Sequence, residues 1–110
     1  MENWEIVAGD FGASYKAVAE GIDLSACVAK LKVWLGDTIL IDNKAFGDVT
    51  YDSPDSYCYY EIASGDIPIT AAVDGRKTNW NVMVQFTKTG FKEHDLGFEL
   101  IVTPAPPEAE

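Results

Sequence analysis

Basic residues are scarce in this chain. Its 110 residues include 8 lysines and arginines against 18 aspartates and glutamates, a formal net charge of -10. A polyanion is repelled by such a molecule, which excludes nucleic acid and anionic membrane surfaces as natural partners. Long apolar runs are missing too, since none approaches the roughly 20 residues that a membrane-spanning helix needs. The opening MENWEIVAGD has neither a basic region nor an apolar segment, which argues against a secretory signal. With only two cysteines and no such signal, reduced thiols in a cytoplasmic fold are expected. Histidine is represented once, by His94, which leaves little material for acid–base or metal chemistry.

What the chain does have is apolar residues, at 47%, with 12% aromatic. That is enough for one packed core and too short a chain for two, so residues 1–103 are expected to form a single domain. Its organising stretch is Ser56 to Thr87. Cys58, Tyr60 and Ile62 alternate with Tyr57, Tyr59 and Glu61, and Trp80, Val82, Val84 and Phe86 alternate with Asn81, Met83, Gln85 and Thr87. A period of two with one apolar side marks a strand that buries one face. Between them, Ser64-Gly65-Asp66 breaks the first strand and could start a helical turn, and Asp74-Gly75 supplies a corner. A connection of this length is expected to carry the chain to an opposite sheet.

The other strands read outwards from this pair. Trp4, Ile6 and Val7 suggest an edge strand within Met1 to Ala8. Ser14 to Glu20 sets Tyr15, Ala17 and Ala19 on one side. After a tight turn at Ile22-Asp23-Leu24-Ser25, where Asp23 or Ser25 can bond nearby amides, Cys27, Ala29, Leu31 and Val33 alternate with Val28, Lys30, Lys32 and Trp34. Short strands are expected at Thr38 to Ile41 and Gly47 to Tyr51. A turn at Lys88-Thr89-Gly90 leads into a last strand, Phe91 to Val102, with Leu96, Phe98, Leu100 and Val102 on one face and Gly97 marking a bulge or a close neighbour. Seven or eight short strands with one helical turn predict an all-β, immunoglobulin-like β-sandwich. Residues 104–110, within TPAPPEAE, read as a proline-rich acidic tail or the start of a linker.

Candidate chemistry is thin. His94 lies in Lys92-Glu93-His94-Asp95, without a nucleophile motif beside it, and is expected to be a solvated turn residue. Cys27 and Cys58 fall on inward faces and should be free thiols. The alternative is an inter-sheet disulfide, but their spacing of 31 residues is shorter than the antibody pattern. Asp37, Asp42, Asp48, Asp52 and Asp55 match no calcium-loop spacing and suit a solvated acidic edge that discourages strand pairing. No catalytic residue, cofactor or metal is therefore expected. Trp34, Tyr57, Tyr59 and Met83 are larger and less polar than a solvated face requires and form the candidate partner interface. The three aromatics could equally stack on sugar rings, leaving a carbohydrate- or cell-surface-binding module as the alternative.

Three stretches in order resemble a known family. They are Asp23-Leu24-Ser25-Ala26-Cys27-Val28-Ala29-Lys30-Leu31, then Tyr60-Glu61-Ile62 followed by Ala63-Ser64-Gly65-Asp66-Ile67, and Trp80-Asn81-Val82-Met83-Val84-Gln85-Phe86-Thr87 with a glycine hairpin at Gly90 and a strand to Val102. Together they span about Trp4 to Thr103, and their order resembles the phage baseplate upper protein N-terminal domain family. The resemblance implies an immunoglobulin-like tail or baseplate module without catalytic residues. It implies a virion protein made in the host cytoplasm, in contact with other virion proteins or copies of itself, and oligomeric in the assembled particle. Family members commonly continue into a longer protein whose far end reaches the host. This sequence stops after TPAPPEAE, which puts the receptor-binding part of the family's role in doubt and leaves an excised module or a small stand-alone virion protein as the expectation.

Overall fold

The alternating segments do become strands. The computed structural model describes residues 3–89 and 91–105, with backbone only at 91 and 93. Eight strands are β1 (Trp4–Val7), β2 (Ser14–Ala19), β3 (Val28–Leu35), β4 (Thr38–Ala45), β5 (Thr50–Asp52), β6 (Asp55–Glu61), β7 (Thr78–Lys88) and β8 (Phe91–Thr103). One sheet has the order β1-β8-β7-β3-β4 and the other β2-β6-β5. All pairings are antiparallel except β1 with β8, which is parallel from Trp4↔Leu100 to Val7↔Thr103. The strand that opens the chain thus lies along the one that closes the domain.

The inner faces follow the period of two. Leu31 and Val33 of β3, Trp80, Val82, Val84 and Phe86 of β7, and Leu100 and Val102 of β8 form one wall of the core, and Ala17, Ala19, Cys58 and Tyr60 form the other. The alanines of β2 are fully buried. Their small side chains let the sheets approach where Trp4 stacks against Tyr15 and Phe98, at ring-centroid distances of 5.2 and 4.8 Å. Trp4 Nε1 donates to the Lys16 carbonyl at 3.3 Å and the Tyr15 hydroxyl donates to the Glu5 carbonyl at 2.6 Å, so the two sheets are also joined by hydrogen bonds along this edge.

The 22–25 turn is a plug. Asp23 accepts from the amide and the hydroxyl of Ser25, at 3.0 and 2.7 Å, and these bonds hold its carboxyl below the usual range. Leu24 is thereby driven into the core, where its amide donates to buried Ser56 Oγ at 2.7 Å and that hydroxyl donates onward to the Ile22 carbonyl at 2.7 Å. Gly21 N donates to Asp55 Oδ1 at 3.0 Å and closes the same junction.

Several expectations are corrected. Ser64-Gly65-Asp66 is a hydrogen-bonded turn, and the helical turns come later, as two single 3-10 turns at Ile69–Ala71 and Val73–Gly75. Asp66 folds back instead: its carboxylate accepts from Ala63 N at 2.9 Å and from the Tyr60 hydroxyl at 2.6 Å. β4 runs on through Asp42 and Asn43 to Ala45, because one irregularity in its pairing with β3 sets those two residues opposite Lys32, with Asn43 at φ 54°, and a second takes up Leu40. The fifth strand begins at Thr50, not Gly47. Gly97 has no close neighbour, since a Cβ built there meets nothing within 4 Å, and the β7–β8 irregularity lies between Phe86 and Thr87. His94 is not in a turn but in β8, opposite Phe86 and half-buried with its ring 6.3 Å away. Gly90, Met1 and Glu2 and the tail beyond Ala105 lie outside the described residues.

The β6-to-β7 connection crosses between sheets as expected, and one bond fixes it. Trp80, buried at the start of β7, donates from Nε1 to the Ala71 carbonyl at 2.8 Å. An indole here performs the anchoring that a tyrosine hydroxyl gives at the corresponding corner of many immunoglobulin-like domains. Trp80→Ala should lower unfolding free energy by about 3–5 kcal/mol, as expected for a buried large aromatic, with Trp80→Phe retaining most of the packing and losing the bond. Ser56→Ala should cost about 1–3 kcal/mol by stranding the Leu24 amide. Urea denaturation of the three variants checks both values, and wild-type midpoints would contradict the packing described.

Candidate functional site

The four expected interface residues are split between opposite sides of the molecule. Tyr57 and Tyr59 project from the outer face of the three-stranded sheet, whereas Trp34 and Met83 lie on the outer face of the five-stranded one, where Trp34 pairs with Asn81 and Lys32 with Met83. Tyr59 is half exposed, and Tyr57, Trp34 and Met83 are half-buried. The tyrosine rings meet edge to face, 5.9 Å apart at 78°, with Lys16 Nζ 4.5 Å above the Tyr57 ring. They consequently offer no flat pair of parallel rings for a sugar to cover.

A different apolar surface gathers at one end of the sandwich. Leu35 and Ile39, on either side of the β3–β4 turn, and Val73, in the second 3-10 turn, are 38%, 51% and 41% exposed. Together with Leu40, Pro68 and the edge of Trp80 they line a cleft of about 550 Å³, none of whose lining residues is charged. In a chain with 24% charged residues, an uncharged concave end with large exposed aliphatics resembles a partner surface more than a solvated loop cluster. Ile69, 66% exposed, extends it on the far side of the 3-10 turns. Sequence reasoning missed this cleft because its members are separated by up to 45 positions and each alone looks like an ordinary strand or turn residue.

The outer face of the five-stranded sheet carries a second, polar cleft of about 290 Å³. Lys30, Lys32, Asp42, Asn43, Met83 and Gln85 line it. It lies where the β4 irregularity sets both Asp42 and Asn43 opposite Lys32, since Leu31 pairs with Lys44 and Val33 with Ile41. Such bulges re-aim side chains that a regular ladder would send elsewhere.

The two thiols differ in burial. Cys58 is fully buried, and desolvation pushes its thiol up to about 12, so it supplies almost no thiolate at neutral pH. Cys27 is only half-buried, lying just before β3 and not within it, and no disulfide joins it to Cys58. The loop carboxylates do not converge: among the described residues no group of three His, Cys, Asp or Glu side chains is arranged to hold a metal ion. Among the same residues no helix is long and apolar enough to cross a membrane.

Two sheets in this order, with an indole-anchored crossing between β6 and β7, define an all-β sandwich of immunoglobulin-like form. Comparison with known proteins adds nothing to that class: no protein-family model, no curated protein and no solved structure matches the chain.

Burial of titratable groups makes alkaline pH destabilising. The Cys58 thiol ionises near 9.0 when unfolded but only at about 12 in the fold. The Tyr60 hydroxyl is also raised, first by burial and then by its bond to the Asp66 carboxylate. Both groups keep their protons longer in the folded state, so the Cys58 contribution is complete below pH 9.0 and lost as pH climbs towards 12, and that of Tyr60 is complete below pH 10.0 and lost at still higher pH. Cys58→Ala should flatten the decline of melting temperature above about pH 9, and an unchanged slope would show that the thiol ionises freely in the fold. Reductant should leave the wild-type melting temperature unchanged.

Proposed function

We propose that the chain is a non-enzymatic structural module of a tailed-phage virion, a tail or baseplate component that works by contact with other virion proteins or with copies of itself. The observation that carries this is the uncharged cleft at the β3–β4 end with Leu35, Ile39 and Val73 exposed around it. Apolar groups displayed in one concavity lose contact with water when a protein covers them, whereas a sugar ligand would need more hydrogen-bonding side chains than the Thr38 and Thr70 that line it. The order of sequence landmarks from Asp23 to Thr87 supports placement in a virion by its resemblance to the baseplate upper protein domains. The carbohydrate alternative built on the surface aromatics is less well supported, because Tyr57 and Tyr59 stand nearly perpendicular and Trp34 lies on the opposite sheet.

Two features of the reactive side chains support the non-enzymatic reading. The buried thiol is a packing residue, and His94 packs towards Phe86 at the inner edge of β8. In an assembled particle, repetition of one modest contact would hold the module through multivalency.

The test is a pair of surface variants carried into the particle. Ile39→Asp with Val73→Asp should abolish incorporation, or self-association of the isolated chain, while leaving the fold intact by circular dichroism. Tyr57→Ser with Tyr59→Ser should have a smaller effect. Normal incorporation of the first pair would overturn the assignment of this end as the partner surface.

A further inference from the structure

We propose that the polar cleft beside the β4 bulge binds an acidic sugar, a hydroxylated ring bearing one carboxylate. This goes beyond assembly and concerns a different face of the molecule.

The first argument is charge. Lys30 and Lys32, two positions apart on β3, point the same way and are half-buried. Among the described residues the one salt bridge joins Lys92 to Asp95 at 3.2 Å, so neither of these lysines is within salt-bridge distance of a described carboxylate. In a chain with 18 acidic side chains against 8 basic ones, two adjacent lysines left unneutralised form a local positive site that draws a small anion from solution. Partial burial strengthens the attraction relative to a fully solvated pair.

The second argument is the remainder of the lining, which narrows the kind of anion. Asp42 shares the cleft with the lysines. Its carboxylate repels a compact multivalent anion such as phosphate and accepts from hydroxyl donors. The carboxamides of Asn43 and Gln85 each donate and accept, which suits neighbouring hydroxyl groups on a ring. Asn43 is held in the left-handed region at φ 54° within the bulge, a conformation that non-glycine residues adopt at a cost and that aims its side chain away from the regular ladder. Met83, paired with Lys32, gives the cleft a small apolar patch against which the C–H face of a ring can rest, while the neighbouring Trp34 ring lies under Lys32 Nζ, 5.9 Å from its centroid. On the other side of Met83 stands Gly97, where a Cβ would meet open space, so the β8 residue directly opposite Met83 puts no side chain over it. A volume of about 290 Å³ lies at the small end of ligand clefts, roughly 300 Å³ and upwards, and suits one monosaccharide.

The experiment is an amide-resolved NMR titration of the whole chain with sodium D-glucuronate, with D-glucose and inorganic phosphate as comparison probes. Saturable binding of glucuronate with a Kd on the order of millimolar is expected, its shifts centred on Lys30, Lys32, Asn43 and Gln85. Glucose and phosphate should bind at least roughly tenfold more weakly, and added salt should weaken the glucuronate complex. Lys30→Met with Lys32→Met should reduce affinity by about tenfold or more, and Gln85→Ala by a smaller factor, at unchanged melting temperature, while Lys16→Met on the opposite sheet leaves it intact. The proposal fails if glucuronate does not saturate, if phosphate binds as well as glucuronate, or if Lys16→Met weakens binding as much as the cleft variants do.

Discussion

The hydrogen bond from the Trp80 indole to the Ala71 carbonyl is the constraint on which the rest of the molecule depends. The chain leaves β6 in one sheet and must start β7 in the other, and the backbone of that crossing has no ladder to satisfy its polar groups. Two 3-10 turns satisfy some of them locally, with Ala71 N donating to Pro68 and Ala72 N to Ile69. The indole then fixes where those turns sit over the end of the core. Because its ring is buried and its N–H is spent on the crossing, Trp80 sets both the separation of the sheets at this end and the wall of the apolar cleft. Cleft wall and core closure are therefore two sides of one residue.

Much of the fold was legible because burial on a single face writes itself into every second residue. β3 and β7 were readable from Leu31, Val33, Trp80, Val82, Val84 and Phe86, all of which are buried. Where the backbone departs from a regular ladder, that signal stops. Asp42 and Asn43 look like a strand terminator after Ile41, yet they stand two against one opposite Lys32 in a bulge and β4 continues to Ala45. The helical turn was placed at Ser64 to Asp66 because those residues favour turns. It formed instead at Ile69–Ala71, which has no capping side chain to advertise it. His94 was hidden by the charges of Lys92, Glu93 and Asp95 around it, although its own position in the alternation, in step with Leu96 and Phe98, already pointed inwards.

The surface was much less legible than the core, for a reason that is geometric. Alternation says that a side chain faces out; it does not say from which sheet. Tyr57 and Trp34 both face out, and the crossing from β4 to β5 sends them to opposite sides of the sandwich. Both clefts likewise combine residues from elements that meet only after folding, Leu35 with Val73 in one and Lys32 with Asn43 and Gln85 in the other. The Asp23-Leu24-Ser25 stretch is the instructive contrast. Its chemistry is local, with Asp23 bonded to Ser25, so the turn could be read directly, although its docking onto Ser56 could not.

The parallel pairing of β1 with β8 gives the domain a definite response to mechanical load. Because the two strands run the same way, the chain before Trp4 leaves at one end of the ladder and the chain after Thr103 leaves at the other. A pull applied through those two points acts along the strand axes, in shear, so that the ladder bonds from Trp4↔Leu100 to Val7↔Thr103 are strained together instead of being peeled one after another. Trp4 Nε1 and the Tyr15 hydroxyl, which fasten this same edge to the opposite sheet, share that strain. The edge of the sandwich that carries the fewest paired residues of the larger sheet is thus the one that resists stretching.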